Sequence, residues 1–171
     1  MTAVRLIAAA VLVLLSMTPA FAQLSPLRYG TWILNVAKSN YDPGPPPMSQ
    51  KRTEELVGGA MKTSVEGVDA RGNRIAYEFA VPADGKDHPV TGVGMPYGSD
   101  TIAMIVLDAY TLDATFKKGG TVMGTAHAVM SKDGRTLTVT SKSQANGQTT
   151  NNVTVWEKGD GGNAVRSRTG R

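Results

Sequence analysis

Few residues in this 171-residue chain have the types and spacings that chemistry needs. It holds two histidines and no cysteine. His88 sits in Asp87-His88-Pro89 and His127 in Thr125-Ala126-His127-Ala128-Val129. Two distant imidazoles without a thiol do not make a zinc site by spacing, so no metal and no cofactor is expected. Asp84 and Asp87 have the chemistry of a calcium or acid–base pair. Both fall in a turn-forming stretch, however, where Asp bonds its own backbone. Serine and threonine are plentiful, but no Gly-x-Ser-x-Gly elbow is present. Residues 91–98, Thr-Gly-Val-Gly-Met-Pro-Tyr-Gly, lack the following Lys-Ser/Thr and helix of a phosphate cradle. Asn152-Val153-Thr154 is a glycosylation sequon by pattern only. No constellation identifies a reaction, and the expectation is a protein with no catalytic residues.

The dominant pattern around these residues has a period of two. Ile75, Tyr77, Phe79 and Val81 alternate with polar or small neighbours, as do Tyr110, Leu112, Ala114 and Phe116. Met61, Thr63 and Val65 alternate with Lys62, Ser64 and Glu66. Such alternation places one apolar and one polar face on a strand. Along the next run, Val122, Ala126, Ala128 and Met130 are assigned inward and His127 outward. Turn signals separate the runs: Gly58-Gly59, Arg71-Gly72-Asn73, Asp84-Gly85, Gly119-Gly120, Asp133-Gly134 and Asn146-Gly147. The spacing predicts strands near 30–36, 50–57, 60–67, 73–81, 86–90, 100–107, 110–117, 121–131, 135–143 and 149–157, joined as an antiparallel meander. Ile102 to Leu107 is apolar on both faces, which implies an outer cover or a partner. Residues 91–98 break the rhythm and read as a mobile loop at one end of the sheet. A sheet without disulfides gains from closing on itself, because closure removes exposed edges. The expected architecture is therefore an all-β, up-and-down antiparallel barrel of about 8–10 strands.

The ends of the chain differ from this body. Arg5, the apolar run Leu6 to Leu15 and Ala20-Phe21-Ala22 have the pattern of a secretory signal peptide over residues 1–22. The apolar run is too short to span a membrane, so no membrane insertion is expected after cleavage. The absence of Cys excludes a lipid-modified cysteine, and the expected destination is the periplasm or the exterior. Basic and acidic residues balance at 13 each between Gln23 and Glu157. The formal net charge of +4 thus arises from the two ends, and no basic face for nucleic acid is implied. Residues 158–171, rich in Gly, Arg, Ser and Asn, read as a disordered basic tail behind a barrel domain at 23–157.

Gly30-Thr31-Trp32-Ile33-Leu34 resembles the first-strand Gly-x-Trp of lipocalins and intracellular fatty-acid-binding proteins, together called calycins. Val153-Thr154-Val155-Trp156-Glu157-Lys158 resembles the closing strand of the fatty-acid-binding group. The chain also resembles small exported bacterial proteins of lipocalin-like type, through Asp84-Gly85-Lys86 and the Ser131 to Gly134 turn. The resemblance implies a lipocalin-like barrel whose first and last strands are neighbours. It also implies a structural Trp32 packed across one end, with Gly30, Trp32 and Trp156 closing the barrel. Trp32, Leu34 and Val36 share one face, which fits a plug in a narrow barrel. Two departures limit the resemblance. Pro43, Pro45, Pro46 and Pro47 forbid the lid helices of the fatty-acid-binding group and take the chain out of the sheet after Tyr41. Thr154 and Trp156 stand where that group uses an Arg and a Tyr to grip a carboxylate, so fatty-acid binding does not carry over.

Ile75, Tyr77, Phe79, Tyr110, Leu112 and Phe116 are the candidate lining of an apolar cavity, and Gly92, Gly94 and Tyr97 its portal. The expected function is non-catalytic binding of a small hydrophobic or amphipathic molecule inside an exported barrel. The alternative is a filled barrel that acts as an inhibitor or assembly factor in the cell envelope. Its protein partner, unnamed by the sequence, would meet the 91–98 loop, the proline segment and the strand at 102–107.

Overall fold

The computed structural model describes residues 23–145 and 148–159. The expected signal peptide, the Asn146-Gly147 turn and the expected tail from residue 160 onward lie outside the described residues. A single 3-10 turn, Pro26–Arg28, leads into ten strands. They are β1 (Gly30–Asn40), β2 (Ser49–Val57), β3 (Ala60–Val68), β4 (Arg74–Val81), β5 (His88–Val93), β6 (Thr101–Val106), β7 (Thr111–Lys118), β8 (Thr121–Met130), β9 (Thr136–Ala145) and β10 (Gln148–Lys158). A second 3-10 turn, Pro96–Gly98, lies between β5 and β6. Each strand pairs antiparallel with its neighbours in the chain, and β1 pairs with β10 to close the barrel. Among the described residues there is no α-helix.

Alternation builds the walls. On β3, Met61, Thr63 and Val65 are buried, and on β7 so are Leu112, Ala114 and Phe116. The outer faces carry cross-strand ion pairs, such as Lys51 with Glu66 at 3.1 Å, directly opposite in register. An exposed pair of this kind contributes well under ~1 kcal/mol. The outer side of β6 is only partly covered. The Gly85 amide donates to the Met104 carbonyl, yet Ile105 remains 53% exposed and Leu107 50%.

Four details differ from the sequence reading. β1 runs past residue 36 to Asn40, because its register with β10 shifts between Asn35 and Asn40 and Ser39 fills the gap. The Ser39 hydroxyl donates to the Asn35 carbonyl at 2.7 Å and accepts from the Val155 amide at 2.9 Å. Val122 faces solvent at 55% exposure, because a register shift at Phe116/Lys117 changes the alternation along β8 before Gly124. Gly92 is not in a loop. It sits in β5 opposite Tyr77, where a Cβ would collide with the Ala76 carbonyl and the Tyr77 Cα, so the close approach of β4 requires glycine. Lys158, assigned to the tail, is the last residue of β10.

The closure between β1 and β10 is built around Trp32, which is fully buried. Its indole N–H donates to the Arg28 carbonyl at 2.9 Å. Above the ring, 4.2 Å from its centroid, lies the Lys158 ammonium. That ammonium also donates to the carbonyls of Leu27 at 2.6 Å and Tyr29 at 2.7 Å. Gly30, at φ 122°, makes room: a Cβ there would stand 3.3 Å from Lys158 Cε. The plug thus ties the entry turn, the first strand and the last strand together. Trp32→Ala should cost ~3–5 kcal/mol, as truncation of a buried aromatic does. Urea unfolding followed by the fluorescence of the remaining Trp156 measures this, and an unchanged midpoint would contradict the plug role.

Candidate functional site

A cavity of about 520 Å³ lies within the barrel. β3 and β4 contribute Val65, Ile75, Tyr77 and Phe79 to its wall, and β6 gives Ile102 and Met104. β7 and β8 contribute Leu112, Phe116 and three alanines, Ala114, Ala126 and Ala128. The alanines explain why there is space. Three inward positions on adjacent strands carry a methyl group where a larger side chain would have filled the interior. At the mouth stand Tyr41, Pro45 and Pro47, the β3–β4 turn at Asp69 to Arg71, Gly94, Pro96 and Asn152. The proline segment that ends β1 is therefore one lip of the opening.

Five of the six residues expected to line a cavity do so: Ile75, Tyr77, Phe79, Leu112 and Phe116. Tyr110 does not. β7 begins one residue later, and Tyr110 belongs to the β6–β7 turn, where it packs against the core and its amide donates to Asp108 Oδ1. Of the expected portal, Gly94 and Tyr97 border the cavity and Gly92 does not. Trp156, expected as closure, pairs opposite Leu34 but turns its indole to the cavity wall. Its Nε1–H donates to Thr154 Oγ1 at 3.0 Å.

Tyr97 has a left-handed backbone, φ 56°, alone among the described non-glycine residues. Such a conformation is costly for a bulky side chain, by about 1–3 kcal/mol, so its packing must hold it. The ring meets Phe116 edge-on, 5.5 Å between centroids, and covers Gly124, where a Cβ would come within 2.6 Å of the ring. Ser141 lines the cavity alongside it. Burial raises the pKa of Tyr97 and pushes those of Tyr41 and Tyr77 up to about 12. All three therefore stay protonated near neutral pH and offer O–H groups to the cavity.

Sequence reasoning missed the charged residues. Arg28 and Glu54 are both 0% exposed, joined by Arg28 Nε donating to Glu54 Oε2 at 2.6 Å. On the other side of the same carboxylate, Arg52 Nη2 lies 2.7 Å from Oε1. The Arg52 guanidinium lies 5.4 Å from the centroid of a Trp156 ring. Arg28 and Arg52 both line the cavity. Burial alone would raise the Glu54 pKa, but the charges of Arg52 and Arg28 outweigh it and hold the carboxyl below its ordinary value. The available signal was the spacing of Arg52 and Glu54, two apart and hence on one face of β2. Neither His88 nor His127 enters the site. His88 Nε2 is 3.0 Å from Asp84, His127 Nδ1 is 2.6 Å from Asp113, and Asp87 pairs with Lys117 at 2.8 Å. No group of three or more His, Cys, Asp or Glu among the described residues is placed to hold a metal ion.

No family model and no curated protein matches the sequence. Among solved structures, zebrafish ileal bile acid-binding protein, complexed with cholic acid, superposes with a TM-score of 0.52 at 15% identity. The match covers 78% of this chain and 99% of that one. The chain thus has a calycin-like barrel fold. The tie of Lys158 to Trp32 and the entry turn joins the end-strand patterns at 30–34 and 153–158. Between β1 and β2 the chain has an extended proline lip and no helix.

The buried carboxylate gives the barrel an acid limit. A depressed folded-state pKa means that Glu54 stabilises the fold above its ordinary value of 4.5 and loses that contribution as pH falls through the lower folded value. Glu54→Gln should cost ~3–5 kcal/mol at neutral pH, because two guanidinium groups lose their counter-charge. Its stability should also vary less with pH below 4.5 than that of the wild type. Thermal melts recorded over this range check both outcomes.

Proposed function

We propose that this calycin is a non-catalytic carrier of a small hydrophobic or amphipathic molecule and that it works outside the cytoplasm. The observation that carries the reading is the open cavity of about 520 Å³ with a mostly aliphatic and aromatic wall. Ligand sites are commonly of this kind, roughly 300–1,000 Å³ with few polar groups. The zebrafish neighbour, solved with cholic acid, supports a small-molecule occupant for a barrel of this fold. A cavity lined by Ala114, Ala126 and Ala128 favours this reading over a filled interaction module, which has no use for the space. Export to the periplasm or the exterior rests on the apolar run Leu6 to Leu15 and the Ala20-Phe21-Ala22 site.

A neutral apolar dye such as N-phenyl-1-naphthylamine should bind one molecule per barrel, with enhanced fluorescence. Ala126→Trp, which puts an indole into the cavity, should weaken binding by about ten-fold or more while the fold persists. Absence of dye binding, or equal binding by the filled variant, would refute the carrier role. Cell fractionation and mass analysis of the exported product should find a chain that begins at Gln23.

A further inference from the structure

The cavity wall carries an unbalanced positive charge. Two guanidinium groups, Arg28 and Arg52, share the single carboxylate of Glu54. Arg28 is wholly buried, and its Nη1 has no hydrogen-bond partner; Arg52 Nε is likewise buried and without one. Lys158 is the nearby third cation, but its ammonium is committed to backbone carbonyls of the entry turn. The other charged residues on the lining, Asp69 and Arg71, stand at the exposed mouth, away from this array. Leaving guanidinium donors unpaired in an apolar interior is costly, and a protein that keeps such a group has a reason to do so.

The geometry points to an anion-binding subsite at Arg52, which takes the negatively charged group of an amphiphile whose apolar part fills the rest of the cavity. Arg52 is the accessible member of the array. Its side chain is 14% exposed and forms part of the cavity lining, whereas Arg28 and Glu54 are 0% exposed behind it. Glu54 holds Nη2, and Trp156 lies beside the guanidinium, so the group is fixed before a ligand arrives. A planar, preorganised guanidinium is suited to a carboxylate, sulfate or sulfonate. Tyr77, whose phenol feels the charge of Arg52, is a neighbouring O–H donor for the same head group. The two guanidinium groups carry more charge than Glu54 neutralises, which favours a negative group on the ligand. The last strand presents Thr154 and Trp156 to the cavity, so the anchor comes from β2 instead.

This inference rests on the carrier reading, and one titration series separates the two. Decanoate, 1-decanol and decyltrimethylammonium, all below their aggregation limits, are titrated into the purified protein by calorimetry at neutral pH. Decanoate should bind ~10–100-fold more tightly than decanol, the range set by a charge-assisted hydrogen bond, and the ammonium should bind most weakly. Arg52→Met should remove the preference for decanoate while leaving decanol affinity within about three-fold, and Arg52→Lys should restore part of it. If decanol binds as tightly as decanoate, or if Arg52→Met weakens both alike, the anion subsite is wrong and the carrier reading survives. If none of the three binds, both are wrong. The wild-type comparison decides the matter even if an Arg52 variant fails to fold.

Discussion

One ammonium group ties the entry turn to the two strands that close this barrel. Lys158, at the end of β10, lies over the Trp32 indole of β1 and donates to the carbonyls of the entry turn. The 3-10 turn leaves carbonyls without internal partners, and a cation at the end of the neighbouring strand satisfies them. Burial pulls the Lys158 pKa down, the charge of Glu54 pulls it up, and Arg28 opposes Glu54, for a net depression. Closure therefore depends on a charge kept partly out of water and on a carboxylate nearby. Everything else about the interior follows from that closed ring, because ten strands with both outer edges paired enclose more space than their side chains fill.

The closing device and the cavity wall share residues. Arg28 offers its carbonyl to Trp32 and its guanidinium to Glu54. Glu54 also holds Arg52, which reaches the cavity. The chain of contacts runs from the plug to the cavity without a break: indole, backbone carbonyl, guanidinium, carboxylate, guanidinium. Every link but the last is fully buried. Rigid packing on the closed side thus sets the position of Arg52, the more accessible guanidinium of the array.

The fold was largely legible in the sequence, and the site only in part. Alternation and turn pairs placed all ten strands, and all but β1, β5 and β9 were right to within a residue at each end. Gly-x-Trp at 30–32 and the Val153 to Lys158 run pointed to adjoining terminal strands, and the register sets Leu34 opposite Trp156. What failed were positions where alternation is interrupted. The shift at Phe116/Lys117 turned Val122 outward, and the start of β7 at Thr111 left Tyr110 in a turn. Gly92 looked like a loop residue because glycine marks loops, yet it serves a close approach of two strands. The charged array was invisible for a different reason. Arg and Glu in a strand are assigned to solvent by default, and only the pairing of Glu54 with Arg52 and with a buried Arg28, 26 positions away, makes the inward direction tolerable.

That array sets an energetic puzzle that a simple apolar carrier does not solve. Replacing a buried ion network by hydrophobic groups of similar size is often neutral or stabilising, by ~1–4 kcal/mol. A barrel selected only to close and to hold a greasy molecule could put Leu or Met at positions 52 and 54. Arg28, which would otherwise be left a buried and unpaired charge, would have to become apolar with them. The structure instead keeps two guanidinium groups against one carboxylate and sets one of them beside an aromatic face at the edge of the cavity. Glu54 lowers the cost of that placement without cancelling it, because its single charge is divided between two cations. The remaining charge is stabilised best by something that enters from the mouth, past Tyr41 and the proline lip, and carries its own negative group to the wall.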